Sequence, residues 1–366
     1  VNNGTTSKDG RTGVSAGEGR LVVGMPAGSL ADPKRGGNLV ALLEGAGFKT
    51  SGYESGGPTS FPTCAFLYGW DGRPQEFGSQ LGVGELDIAI AGDDWIRERI
   101  LELRYEYEKE IELEKVLSLQ RGGVRIVGIA PGDTAQQTAA AVLTAFAADP
   151  QKRILTVASE MPYLALDWVR LLLKKAGLDG RFPDYAVQKY RTPPKVSSGV
   201  VVYETWGKTE SKIMNGGVDL GLEITQSGSA IRNYGLKIVD EIMTSETGIW
   251  IRPAVREEPR KLEILRMFLL NLYGCINAEG KVLVLFNVAK ENAAAIEGYL
   301  EENNLFADEP TRNVGREYTE YSVQVDVADP TAPIARIRYE LATLGAKSID
   351  TIPLSSSIPH LDVLPI

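Results

Sequence analysis

ESKIMNGGVDLGLEITQSGSAIRNYGL, running from Glu210 to Leu236, falls into four parts. A polar, helix-like turn meets a Gly216-Gly217 break. An apolar run from Val218 to Ile224 follows, and then the small-residue turn Thr225-Gln226-Ser227-Gly228-Ser229-Ala230 opens a short helical pattern. A buried strand that delivers a Gly/Ser turn to a helix start leaves backbone N–H groups unpaired and aimed at one point, which suits a phosphate. The plainer reading is that Ser-Gly-Ser only ends a strand. The rest of the chain has to decide between the two.

The first half of this stretch has an echo upstream. Gly84-Glu85-Leu86-Asp87-Ile88-Ala89-Ile90 and Gly216-Gly217-Val218-Asp219-Leu220-Gly221-Leu222 share the form Gly-x-apolar-Asp-apolar-small-apolar. Either the match is chance, or two related α/β lobes face each other across a cleft that closes over a polar ligand.

Strands and helices alternate around both copies. RLVVGM (Arg20 to Met25) reads as a strand that turns at Pro26-Ala27-Gly28-Ser29 into a helix over Leu39 to Ala46, capped by Gly47. Ile88 to Ala91 is a buried strand, with Asp93 or Asp94 capping the helix after it. That helix is expected to run on through IRERILELRYEYEKEIELEKV as a solvated amphipathic helix. Strands are expected over Val124 to Ala130, Lys152 to Ala158, Val200 to Tyr203, Lys237 to Met243 and Gly248 to Ile251, with helices over the Ala-rich segment to Ala148 and over Tyr163 to Ala176. Ser51 to Pro74 reads as an irregular loop or hairpin. The pattern implies a mainly parallel sheet with ligands at the carboxyl ends of its strands. After a helix over Leu262 to Asn277, the tail reads βαββαβ, a ferredoxin-like module with an assembly or regulatory role.

Composition narrows the function. At 366 residues, 43% apolar and 24% charged, the chain is an ordinary globular protein of two or three domains. Its net charge of −9 and lack of a long basic cluster argue against nucleic acid as partner. No apolar run suits a membrane span, and the opening VNNGTTSKDGRTGVSAGEG lacks a signal-peptide core and reads as a disordered tail over residues 1–19. Cys64 and Cys275 stand far apart, giving neither a disulfide framework nor a zinc site, as expected in the cytoplasm. The single histidine, His360, comes without a GxSxG elbow, which sets nucleophilic hydrolase chemistry aside.

Five stretches together carry a family resemblance: LVVGMPAGSL, RPQEFGSQLGVGELDIAIAGDDW, VRIVGIAPGD, the opening stretch with its lead-in GKTE, and GLKIVDEIMTSETGIWI. With the tail GAKSIDTIPLSS, the chain resembles the long form of ATP phosphoribosyltransferase from Arg20 to its C-terminus. Glu210, Gly216, Ser227 and Gly228 match the family signature E-x5-G followed by S/T-G-x-T. The resemblance implies two periplasmic-binding-protein-like α/β lobes, residues 20–130 with 237–277 and residues 131–236, then a ferredoxin-like regulatory domain over 278–366. It implies a cytoplasmic enzyme that joins ATP to phosphoribosyl pyrophosphate (PRPP), releases pyrophosphate with Mg²⁺ present, assembles as dimers to hexamers, and takes histidine as effector on the last domain. By position, Glu223, Thr225, Gln226, Ser227, Gly228, Ser229 and Ala230 would hold PRPP, with Glu223 catalytic and a contact for Mg²⁺. Ala27, Gly28, Ser29, Arg73, Gly92 and Asp93 would face the nucleotide.

Three departures bear on this. The family's first turn reads Pro-Lys-Gly-Arg-Leu, and this chain has Pro26-Ala27-Gly28-Ser29-Leu30, with Lys34 and Arg35 the next cations. The family's Asp is Glu223 and the Thr of its loop is Ala230. Losing a Lys and an Arg removes charge-assisted contacts to phosphate. Two alternatives therefore stand beside the main reading: transfer of phosphoribosyl to another acceptor, or a non-catalytic binding or regulatory homologue.

Overall fold

The computed structural model describes residues 19–28, 38–305 and 311–366. Ser29, Lys34, Arg35 and the expected tail up to residue 18 lie outside them. The described residues form two compact units, one from residues 50–265 with the described part of 1–40, the other from 41–49 and 266–365.

The first unit is built on one nine-stranded sheet. In chain order come β1 (Leu21–Pro26), α1 (Leu39–Gly45, whose residues from 41 on belong to the second unit), β2 (Leu67–Gly72), α2 (Pro74–Val83), β3 (Ile88–Gly92), α3 (Asp93–Tyr107) and the long β4 (Glu114–Pro131). Then come α4 (Ala139–Ala148), β5 (Ile154–Ser159), α5 (Pro162–Lys175), β6 (Asp184–Lys189), β7 (Gly199–Glu204), α6 (Thr209–Met214), β8 (Leu220–Thr225), α7 (Ser229–Asn233) and the long β9 (Leu236–Ile251). Strand order is β2-β1-β3-β9-β4-β8-β5-β7-β6. The parallel trio β2-β1-β3 makes one lobe and the parallel set β8-β5-β7-β6 the other. Antiparallel β4 and β9 run between them, β9 pairing with β3 and β4 with β8.

The sequence echo is reproduced bond by bond. Gly84 (φ 78) and Gly216 (φ 67) both take the left-handed conformation that ends their helices. Glu85 N–H donates to Gln80 and Gly217 N–H to Lys212, each five residues back. In the first lobe Asp87 N–H donates to Val22 O (3.0 Å), and Val22 N–H donates to Asp87 Oδ2 (2.9 Å). In the second, Asp219 N–H donates to Thr156 O (3.1 Å), and Thr156 N–H to Asp219 Oδ2 (2.9 Å). Each Asp thus clasps the first strand of its lobe one residue before the ladder closes, at Val23 with Ile88 and at Val157 with Leu220. Two lobes of one design is the reading that survives.

Three expectations give way. α3 stops at Tyr107, where Glu108 turns left-handed (φ 51), and Glu114 onward pairs with β9 instead of continuing the helix. Inter-strand pairing that buries Val116 and Leu119 outweighs the local helical pattern. The strands expected at Lys237 to Met243 and Gly248 to Ile251 are one strand, β9. Its polar middle stays in the ladder, with Ser245 and Thr247 buried. Ser51 to Pro74 contains the parallel strand β2, whose glycines Gly69 and Gly72 weaken the apolar signal.

After α8 (Pro259–Ala278), the second unit has β10 (Lys281–Ala289), α9 (Ala293–Glu302), β11 (Thr311–Val314), β12 (Tyr318–Asp326), α10 (Ile334–Thr343) and β13 (Ala346–Pro353). The antiparallel order β11-β12-β10-β13 is the ferredoxin-like βαββαβ arrangement. Val284, Phe286, Tyr321 and Val323 pack with Ile296 and Leu300 of α9 and with Ile337 and Leu341 of α10.

Candidate active site

A parallel sheet presents its carboxyl ends to ligand, and here both lobes aim theirs at one cleft. A cavity of about 550 Å³ is lined by Ala27 and Gly28 after β1, Arg73 after β2, Gly92 at the end of β3, and Ile224 and Gln226 at the end of β8. Its floor comes from the two long strands, through Gly122, Val124, Ser245 and Thr247. Four of the residues expected on the nucleotide side therefore meet Gln226 of the loop. Asp93 does not line this cavity. Its carboxylate pairs with Lys115 Nζ (2.9 Å) and accepts from Glu246 N–H (3.1 Å), beside a neighbouring cavity of about 460 Å³.

Gly92 is required by its neighbours. A Cβ there would stand 2.3 Å from Asp94 Oδ1 and 3.3 Å from Ser245 Oγ. It occupies the N-cap position of α3, and the expected aspartate side-chain cap is absent. Instead Asp94 N–H donates to Ser245 Oγ (3.1 Å), and Asp94 Oδ1 accepts from Trp95 N–H (2.9 Å).

The loop after β8 is folded on itself. Gly228, left-handed at φ 71, donates its N–H to Thr225 Oγ1 (2.8 Å), and Ser229 N–H donates to Ser227 Oγ (3.3 Å). Ser227 Oγ donates to Ser229 Oγ (2.9 Å), and Arg232 donates to Ser227 O (3.1 Å). Loop hydroxyls thus occupy the N–H groups that a phosphate would use. Of the expected PRPP residues, Gln226 lines the cavity; Glu223, Thr225, Ser227, Gly228, Ser229 and Ala230 are not among its lining residues. The Glu223 carboxylate accepts from Ile224 N–H (2.9 Å). Burial pushes its pKa up to about 7, with Glu210 and Glu160 adding repulsion.

A second cavity, about 510 Å³, shares Arg73, Gln75 and Trp95 with the first and continues to Glu160, Glu204 and Trp206 of the other lobe. Trp206 is 87% exposed at the cleft, with Lys189 Nζ over its ring at 5.3 Å from the centroid. Glu98 of α3 reaches across to the start of α5, where its carboxylate accepts from Tyr163 N–H (3.0 Å) and Leu164 N–H (2.7 Å). It satisfies the orphan donors of that helix. Burial nevertheless raises its pKa to about 8. A carboxyl group whose folded pKa lies above its unfolded value adds stability at low pH and loses it as pH rises toward 8. Urea unfolding at pH 5.5 and 8.5 should therefore show wild type gaining on Glu98→Gln at the lower pH; an unchanged gap would remove Glu98 as the titrating group.

Gln75, Asp94, Trp95, Glu160, Trp206, Ser245 and Thr247 are the residues that sequence reasoning missed. Ser245 and Thr247 stood two apart in a strand mistaken for a break, and that alternation was the available signal. Trp206 and Glu160 carry no local pattern. Among the described residues, no group of three or more His, Cys, Asp and Glu side chains is arranged to hold a metal ion, and no helix is long and apolar enough to cross a membrane.

Comparison with known proteins follows the same outline. The family model described as ATP phosphoribosyltransferase matches residues 73–271, from Arg73 through both long strands. An ATP phosphoribosyltransferase of Trichlorobacter lovleyi is 28% identical over 92% of this chain and 99% of its own length. ATP phosphoribosyltransferase 1 of Geobacter sulfurreducens is 28% identical over 93% and 99%. The solved ATP phosphoribosyl transferase (HisG:HisZ) complex from Thermotoga maritima aligns with 69% of this chain and 98% of that chain, at 16% identity and a TM-score of 0.47. Matched over more than half its length by the family model and nearly end to end by relatives of the same description, this chain belongs to the ATP phosphoribosyltransferase family.

Proposed function

We propose that this chain joins N1 of ATP to the ribose of PRPP with release of pyrophosphate, the first step of histidine biosynthesis. Beside family membership, the observation that carries the reading is the meeting of Arg73 and Gly92 from one lobe with Gln226 from the other around one cavity of about 550 Å³. That volume is in the range of small-molecule sites.

In this reading the 5′-phosphate of PRPP takes the loop from Thr225 to Ala230. Its oxygens replace the Thr225 and Ser227 hydroxyls as acceptors for the Gly228 and Ser229 N–H groups. Ala230 supplies no hydroxyl, one hydrogen bond fewer than the family pattern. Arg73 meets phosphate oxygens from the opposite lobe. The transition state has a cationic ribosyl centre, so fixed carboxylates and donors serve it without a covalent intermediate. Mg²⁺ enters with the pyrophosphate of the substrate, which suits a cation that keeps few protein ligands; Glu223 is the side chain proposed to meet it. Histidine as effector of the ferredoxin-like domain, assembly from dimers to hexamers and a cytoplasmic location extend the proposal on family grounds.

Isothermal titration with PRPP and Mg²⁺, followed by pyrophosphate release on adding ATP, tests the reading. Heat with micromolar affinity and ATP-dependent release are expected; neither heat nor turnover would sink it.

One observation favours a second reading, transfer to a less anionic acceptor. The 510 Å³ cavity is lined by Glu76, Glu98, Glu102, Glu160 and Glu204 against Arg73 and Arg99, and Arg99 is held by Gln75 O (2.8 Å) and Glu102. Glu98 is held neutral by burial, and burial also raises the pKa of Glu102 and Glu160, but the excess of carboxyl groups over cations still disfavours a triphosphate. Screening acceptors at fixed PRPP separates the two, since only the second reading yields faster pyrophosphate release with a neutral or cationic heterocycle than with ATP.

A further inference from the structure

We infer that Asp94, held in place by Ser245, is the carboxylate that faces the ribosyl centre during transfer; the inference rests on the phosphoribosyltransferase reading above. Three carboxylates compete for the role, and their surroundings separate them. Asp93 is committed to Lys115 and to the Glu246 N–H, away from the larger cavity. Glu223 accepts from its neighbour's N–H, feels Glu210 and Glu160, and does not line that cavity. Asp94 is 5% exposed, and among the described residues it is the one carboxylate in the cavity lining.

Its setting is that of a charge waiting for a counterion. Among the described residues no cation pairs with Asp94, although Lys115 is paired with the aspartate beside it. Burial pushes its pKa up, Asp93 adds repulsion, and hydrogen bonds to Trp95 N–H and Ser245 oppose the shift. A buried carboxylate without a cation is unfavourable. Scaffolds keep such a group where a positive charge appears during the reaction, because the attraction then acts in a poorly screened site at no reorganisation cost. The group is also rigid. Its backbone N–H is tied to Ser245 on β9, its Oδ1 to Trp95, and that oxygen sits where a Cβ at Gly92 would come within 2.3 Å of it.

The chemistry agrees with the placement. As the C1–oxygen bond to pyrophosphate breaks, the bonding pair leaves with pyrophosphate and C1 becomes cationic. The lone pair on N1 of the acceptor adenine forms the new C1–N1 bond, and the positive charge moves to the alkylated ring. That ring then releases its 6-amino proton to solvent. Asp94 is ionic partner to C1 in the middle of this sequence and forms no bond to it. Ser245 is a positioning residue.

The test uses the full chain, with PRPP·Mg²⁺ titration and pyrophosphate-release kinetics on Asp94→Asn and Ser245→Ala. Removing a preorganised electrostatic partner lowers kcat by roughly 100-fold or more. The expected result is that loss for Asp94→Asn with PRPP affinity within about threefold of wild type, and about a tenfold loss of kcat for Ser245→Ala, again at nearly unchanged affinity. Asp94→Asn with kcat near wild type overturns the inference, as does a loss of PRPP affinity as large as the loss in kcat. Should Asp94→Asn show no cooperative melting, Ser245→Ala decides alone: unchanged kcat refutes, a kcat-only loss supports. Wild type that binds no PRPP refutes the phosphoribosyltransferase reading and this inference with it. Wild-type turnover alongside an active Asp94→Asn refutes the inference only.

Discussion

Asp87→Ala should lower unfolding free energy by about 3 kcal/mol or more, the scale for breaking a buried charge cluster from one side. The Asp87 side chain is 3% exposed, and its Oδ1 accepts from Arg252 Nη2 (2.9 Å) and Lys261 Nζ (3.0 Å). Its Oδ2 accepts from Val22 N–H (2.9 Å). Alanine would leave that N–H without an acceptor and two part-buried cations leaning on Glu258 alone. Asp219 makes the same clasp in the second lobe, but its extra partner is the Thr156 hydroxyl (2.6 Å), and the residue is only half-buried. Asp219→Ala should therefore cost about 2 kcal/mol, the scale of hydrogen bonds to a carboxylate that has no buried ion pair to break. Urea midpoints followed by tryptophan fluorescence measure both, and equal losses would refute the account.

Arg73→Ala should reduce kcat/KM for pyrophosphate release by roughly 100-fold, corresponding to about 3 kcal/mol of charge-assisted hydrogen bonding to phosphate. Arg73 lines both cavities and is the only cation in the lining of the larger one among the described residues. Ala27, where the family has lysine, adds no second charge to that lining. Arg73→Lys keeps the charge and loses the fork, so it should recover about tenfold. The residue precedes Pro74 at the first turn of α2 and supplies no side-chain cap, so melting temperature should hardly move. Full activity in Arg73→Ala would remove Arg73 from the phosphate side.

The ferredoxin-like module was legible because its two central strands, β10 and β12, alternate and its helices end at turn residues. Gly345, for example, stands at φ 93 just after α10. The echo around Asp87 and Asp219 was legible for a stronger reason: a left-handed glycine, an apolar residue and a carboxylate acceptor must recur together to end a helix and start a parallel strand. Where pairing partners are distant, local reading misled. Glu108 to Ser118 has helical composition, but the segment from Glu114 is held in a ladder with residues about 130 positions away. Ser245 and Thr247 fell between two expected strands because polar residues inside a strand mean either an exposed face or a site, and only the sheet order distinguishes these.

The residue pattern alone determined alternating strands and helices, the ferredoxin-like tail and the Gly/Ser loop that follows β8, since these rest on local spacing and residue type; the missing cation at Ala27 shows only against the family pattern. Which carboxylate faces the cleft was decided by tertiary structure. Asp93 and Asp94 are adjacent and chemically alike; Lys115 on β4 takes the first, and Ser245 on β9 holds the backbone N–H of the second, which lines the cavity. Both partners come from strands that cross between the lobes, so their effect exists only once the long strands have paired.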